Sequence, residues 1–108
     1  MATTYKVLGQ SNPSATTDTN LYTVPAATST VVSTISVANL GTSGTYRIAI
    51  RPGGASIANQ HYLVYNAGLN ANDTITFTLG ITLAATDIIT VYASNTSFAF
   101  SAFGSEIS

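Results

Sequence analysis

The sequence predicts an all-β fold: a single antiparallel β-sandwich or jelly-roll-like domain of about seven or eight strands. Three observations predict it. Apolar and polar residues alternate with a period of two in several short stretches, the mark of half-buried strands. Clusters of Gly, Pro, Asn, Asp and Ser interrupt those stretches at intervals of roughly 8 to 14 residues, as in sandwiches and jelly rolls. No segment competes as a helix; ITLAATD at 81–87 is too short and too rich in Thr. At 108 residues the chain can bury one two-layer core and not two.

Residues 4–9, TYKVLG, form a first strand ending at Gly9. QSNPSATTDTN at 10–20 has no period, and it reads either as a loop crossing the domain or as an arm lying on a neighbour. The expected division is therefore an N-terminal strand with an extended arm or loop at 1–20, followed by the sandwich at 21–108. Leu21, Tyr22 and Val24 lead to Pro25, which cannot donate to a ladder and stops the strand. After the AATS turn, the pattern at 31–38 puts Val31, Ile35 and Val37 on one face with Ser33, and Thr34, Ser36 and Ala38 on the other. NLGTSG turns the chain, and TYRIAIR at 45–51 alternates with Tyr46, Ile48 and Ile50 inward and Arg47 and Arg51 outward.

Pro52, Gly53 and Gly54 break that strand. HYLVY at 61–65 has two readings, with His61, Leu63 and Tyr65 inward or with Tyr62 and Val64 inward. TITFTL at 74–79 alternates Ile75, Phe77 and Leu79 with a threonine face suited to water or a partner. GITLAATD separates it from IITVYA at 88–93, and ASNTS turns into FAFSAF at 98–103. AATS at 26–29 and AATD at 84–87 echo one another, without the constant spacing of a repeat.

Composition narrows the function classes. Charged residues are 6% of the chain, against roughly 25% in an average soluble domain. The surface must be covered by Thr, Ser, Asn and Ala, and a net charge of −1 offers little resistance to association. Much of it is expected to be covered in an assembly. Lys6, Arg47 and Arg51 are the only cations, too few for the roughly six to ten phosphates of a nucleic-acid footprint, so neither nucleic acid nor an anionic membrane is an expected partner. There is no cysteine, hence no disulfide or thiolate metal site. No apolar run approaches the ~20 residues of a membrane-spanning helix. MATTYKVLGQ does not resemble a signal peptide, so synthesis in a cytoplasm is expected.

No catalytic, cofactor or metal site emerges. His61 is the single histidine, and GTSGT at 41–45 lacks the last glycine of a nucleophile elbow, so His61 reads as a hydrogen-bonded or solvated strand end. If the strands at 74–79 and 88–93 pair as a hairpin, Asp73 and Asp87 lie about 20 Å apart and serve local turns. PGGAS lacks the lysine and helix of a phosphate loop. Arg47 and Arg51, about 13 Å apart on one strand face, read either as solvated residues or as anchors for a partner. Tyr62, Tyr65 and Tyr92 with Phe98, Phe100 and Phe103 can be read as a sugar-binding groove, and more simply as core and interface packing.

KVLGQSNPSATT at 6–17, LYTVPAATSTVVSTISVAN at 21–39, RIAIRPGG at 47–54, NDTITFTLGITLAATDIITVYAS at 72–94 and FGSEI at 103–107 together resemble small virion structural proteins of tailed bacteriophages, of the type common among phages of marine bacteria and cyanobacteria. The resemblance implies a non-enzymatic β-sandwich on the outside of a virion. Its most direct form is a capsid decoration, or cement, protein that binds the major capsid protein and stabilises the head. The alternative is a tail, baseplate or fibre-associated module contacting host glycans. A homo-oligomer is implied, with a trimer expected because decoration proteins often occupy threefold positions. Asn12 and Pro13 in the arm, Tyr22, and the Arg47 and Arg51 face are the expected partner contacts, each copy adding an interface on the order of 1,600 Å² with the lattice supplying avidity.

Overall fold

In the computed structural model, which describes residues 2–108, nine strands form two antiparallel sheets packed face to face. The strands are β1 (Thr3–Ser11), β2 (Thr19–Thr23), β3 (Ser29–Asn39), β4 (Gly44–Arg51), β5 (Tyr62–Leu69), β6 (Thr74–Phe77), β7 (Ile81–Leu83), β8 (Ile88–Ala93) and β9 (Phe98–Ile107). One sheet has the order β1-β9-β3-β6, with β7 continuing the β6 position along β3; the other has the order β2-β8-β4-β5. The pairing is nested: β1 with β9, β2 with β8, β3 with β6 and β7, β4 with β5. The chain is thus one long hairpin with its tip between β4 and β5. It is rolled so that β3 also pairs with β9 and β4 with β8. This is the jelly-roll arrangement of a β-sandwich.

The core fills the space between the sheets. Tyr46 on β4 meets Phe77, Phe98 and Phe100 from the opposite sheet at ring-centroid distances of 6.4, 6.0 and 6.4 Å, within the range of favourable aromatic pairing. Ile48, Ile89 and Val91 face Val32, Ile35 and Val37 around that cluster, all of them buried. The inward register of Tyr46, Ile48 and Ile50 follows the alternation in TYRIAIR. On β3 the phase differs from the expected one. A bulge between Val32 and Thr34 inserts Ser33, so Val32 points inward and Val31 joins the outer face with Thr34, Ser36 and Ala38.

Two other expectations are corrected. The 74–79 and 88–93 segments do not form a hairpin: β6 belongs to one sheet and β8 to the other, with β7 (Ile81–Leu83) between them. An ITL triplet is too short to register as a strand from alternation alone, and its existence depends on the free edge of β3 at Thr30–Val32. The 12–18 segment is the corner that carries the chain from β1 to β2. It is tied down where the Thr16 amide donates to the Ala93 carbonyl at 2.8 Å, and β1 itself pairs along its length with β9.

The tight corners need left-handed backbone. Asn72 (φ 60°) and Thr86 (φ 70°) each sit third in a turn closed by the amide of Asp73 or Asp87 donating to the carbonyl of Asn70 or Ala84. Asparagine tolerates this conformation, whereas a β-branched threonine is strained in it. Thr86→Asn is expected to stabilise the domain by about 0.5–1 kcal/mol, read as a raised midpoint in thermal unfolding followed by circular dichroism.

Candidate functional site: the two outer sheet faces

On the β2-β8-β4-β5 sheet, alternation places Arg47 outward, and the β4–β8 register sets Tyr92 directly beside it. The guanidinium carbon lies 4.0 Å from the ring centroid of Tyr92 and 4.4 Å from that of Tyr65, within cation–π range. Its Nε–H donates to Asn66 Oδ1 at 2.7 Å. Asn66 is itself left-handed (φ 54°), at a point where the β4–β5 register shifts. That irregularity explains why neither alternating reading of HYLVY holds. Val64 packs on the core while both Tyr62 and Tyr65 lie outside, edge to face at 4.8 Å. Asn59, Tyr62 and Tyr65 line a recess of about 360 Å³. Tyr65 remains 57% exposed and Leu63 47%, so the cluster presents apolar area to whatever meets it.

Arg51 is held differently. Its Nε–H donates to Thr90 Oγ1 at 3.0 Å, Nη1 to the Ala55 carbonyl at 3.1 Å, and Nη2 to Asn20 Oδ1 at 3.0 Å. These bonds tie β4 to β8, to the 52–61 connection and to β2 respectively. The two arginines that share a strand face therefore divide the work, Arg51 tying the fold together and Arg47 stacking among exposed rings.

The remaining expected contacts fall elsewhere. Pro13 is buried, and Asn12, although exposed, donates its amide to the carbonyls of Thr96 (2.9 Å) and Phe98 (2.6 Å), which locks the corner. Tyr22 is 8% exposed and sits inside the sandwich; its hydroxyl donates to Glu106 Oε2 at 2.5 Å and lies 2.8 Å from Thr30 Oγ1. Glu106 in turn meets Lys6 Nζ at 3.3 Å. Nothing in the sequence pattern linked Tyr22 to Glu106, which are 84 positions apart. The β3–β9 register brings them together by placing Glu106 opposite Thr30.

This group shapes the pH response. Burial, then the hydrogen bond to Glu106, pushes the Tyr22 hydroxyl up to about 12, and burial also raises Tyr46. The hydrogen bond from Tyr22, helped by Lys6, holds the Glu106 carboxyl below its ordinary value. For Tyr22 the folded value is the higher one, so its contribution is complete below pH ~10 and is lost as pH rises toward ~12, by about 2–3 kcal/mol. For Glu106 the folded value is the lower one, so stability is lost as pH falls below the unfolded value of ~4.3. Denaturant unfolding across pH 8–12 is expected to show the alkaline loss, and Tyr22→Phe should flatten it, leaving the part due to Tyr46.

The groups with chemical potential lie in turns. His61 Nδ1 accepts the Ala58 amide at 3.0 Å. Asp87 accepts the amides of Gly53 (2.8 Å) and Ala84 (2.9 Å), and Asp73 accepts that of Thr74 (2.9 Å). These are the local carboxylate roles expected for residues ahead of strands. Among the described residues no group of three or more His, Cys, Asp and Glu side chains gathers to hold a metal ion, and no helix is long and apolar enough to cross a membrane.

The outer face of the β1-β9-β3-β6 sheet contrasts with the arginine face. Register places Thr34, Ser36 and Ala38 beside Ala99 and Ser101, and Thr74 and Thr76 beyond them. Along the β1 side stand Tyr5, Val7 and Phe103, with Val7 directly opposite Phe103; they are 83%, 48% and 36% exposed. Among the described residues no Asp, Glu, Lys or Arg projects from the strands on this face, because Lys6 and Glu106 alternate to the other side. Compared with family models, with characterised proteins and with solved structures, the chain matches none.

Proposed function

We propose that the chain is a non-enzymatic structural protein of a virus particle, a capsid decoration protein that binds the outer surface of a phage head. The observation that carries this reading is the cluster of Arg47, Tyr65 and Tyr92 on the outer face of β4, β5 and β8. Tyrosine and arginine are the side chains that dominate protein–protein hot spots, and here they are ordered in advance on a rigid sheet. The near absence of charge over the rest of the surface and the resemblance to phage virion proteins support the same reading. In this role Arg47 stacks and donates to the major capsid protein, Tyr62 and Tyr65 fill its depressions, and repetition over the lattice multiplies a modest single-site affinity.

Immunogold labelling of purified particles tests the location. Label over heads is the expected result. Label confined to the tail would replace this reading with the tail, baseplate or fibre module, in which the Asn59, Tyr62 and Tyr65 recess meets glycans.

A further inference from the structure

We propose that the uncharged outer face of the β1-β9-β3-β6 sheet is a self-association surface, where a second copy of this chain docks about a two-fold axis. The occupant follows from the chemistry of the face. In a two-fold contact each residue near the axis faces its own copy, so any charge there meets a like charge. This face has none among its described strand residues: Thr34, Ser36 and Ala38 on β3 and Ala99 and Ser101 on β9 are small and neutral.

The relief of the face is complementary to itself. Tyr5, Val7 and Phe103 make a ridge on the β1 side, while Val31 and Thr82 help to line a recess of about 410 Å³ on the β3 and β7 side. A two-fold axis running parallel to the strands between β9 and β3 exchanges the two sides. The register then lays the ridge of one copy at the level of Val31, Thr34 and Thr82 of the other, since Phe103 is level with Thr34, and Ser105, beside Tyr5, with Val31 and Thr82. The dimer is a stack of four sheets in which the two middle ones pack as aligned sheets do.

The area is sufficient. Ten residues of strand by four strands give a plane of roughly 33 by 19 Å, about 600 Å² before side-chain relief is added. That approaches the ~800 Å² per partner of a standard stable interface. The arginine face, on the opposite side of the sandwich, stays free in such a dimer, so pairing does not depend on the proposed capsid role.

Sedimentation velocity of the purified chain between about 5 and 200 µM, with circular dichroism of each variant, tests the proposal. Wild type is expected to sediment at twice the 11.1 kDa monomer mass. Ser101→Glu, which buries two like charges close together on either side of the axis with no counter-charge on the face, and Phe103→Ser, which removes the ridge, are expected to sediment as monomers with unchanged spectra. Arg47→Ala is expected to stay dimeric. A monomeric wild type at 200 µM, a trimer, or a dimer that survives Ser101→Glu and Phe103→Ser would overturn the proposal.

Discussion

Gly104→Ala is expected to destabilise the domain by ~3 kcal/mol or more, lowering the thermal midpoint by on the order of 10–15 °C. Gly104 lies on β9, the strand flanked by β1 and β3, beside the bulge where β3 and β9 change phase. A methyl group there would land on the carbonyl oxygen of Val31, with the Val31 carbonyl carbon and Val32 Cα close behind. These are backbone atoms of a paired strand and cannot swing aside as a side chain would. Relief requires β3 and β9 to separate locally, which breaks the ladder that holds the long hairpin in its rolled form. Gly9→Ala meets the same obstacle at the Leu21 carbonyl, where β1 passes over β2. Gly68→Ala, with nothing within 4 Å of the added carbon, is expected to be neutral or slightly stabilising. Thermal unfolding of the three variants side by side separates close approach from a general effect of adding methyl groups.

Tyr65→Ala is expected to weaken binding to undecorated heads by about 30-fold or more, the ~2 kcal/mol cost of removing a central aromatic anchor. Tyr65 covers one side of the Arg47 guanidinium and packs against Tyr62, so its loss removes contact area and frees the arginine from its pre-set position. Arg47→Lys should also weaken binding, because an ammonium reproduces the charge and not the planar stacking. Arg51→Ala supplies the contrast. Its nitrogens bond Thr90, Ala55 and Asn20 within the chain, so its loss should lower stability and leave the head affinity of the folded protein unchanged. Co-sedimentation of purified variants with undecorated heads measures all three, and equal binding of Tyr65→Ala and wild type removes the arginine face from the contact.

What could be read from the residues tracks the regularity of the strands. TYRIAIR keeps its alternation through the structure, and the inward Tyr46, Ile48 and Ile50 and outward Arg47 and Arg51 follow directly. Bulges defeat the same logic. One extra residue at Ser33 exchanged Val31 for Val32, and the irregular β5 put Tyr62 and Tyr65 on one side although three positions apart. Topology was legible only as a class. Consecutive strands in a jelly roll often lie in different sheets, so adjacency in sequence wrongly suggested a hairpin between β6 and β8. The AATS and AATD echo is one of sequence and not of conformation, since the left-handed residue is second in one turn, Ala27, and third in the other, Thr86. Long-range polar pairs such as Tyr22 with Glu106 carry no local signature, and Tyr22, expected as a partner contact, is enclosed because a register shift between Asn20 and Tyr22 turns it inward.

For the proposed decoration role, copy number in purified phage particles is the most direct measurement. Quantitative mass spectrometry against the major capsid protein is predicted to find hundreds of copies per particle, as a lattice-bound decoration protein requires. A dozen copies or fewer, or none, would contradict a decoration role.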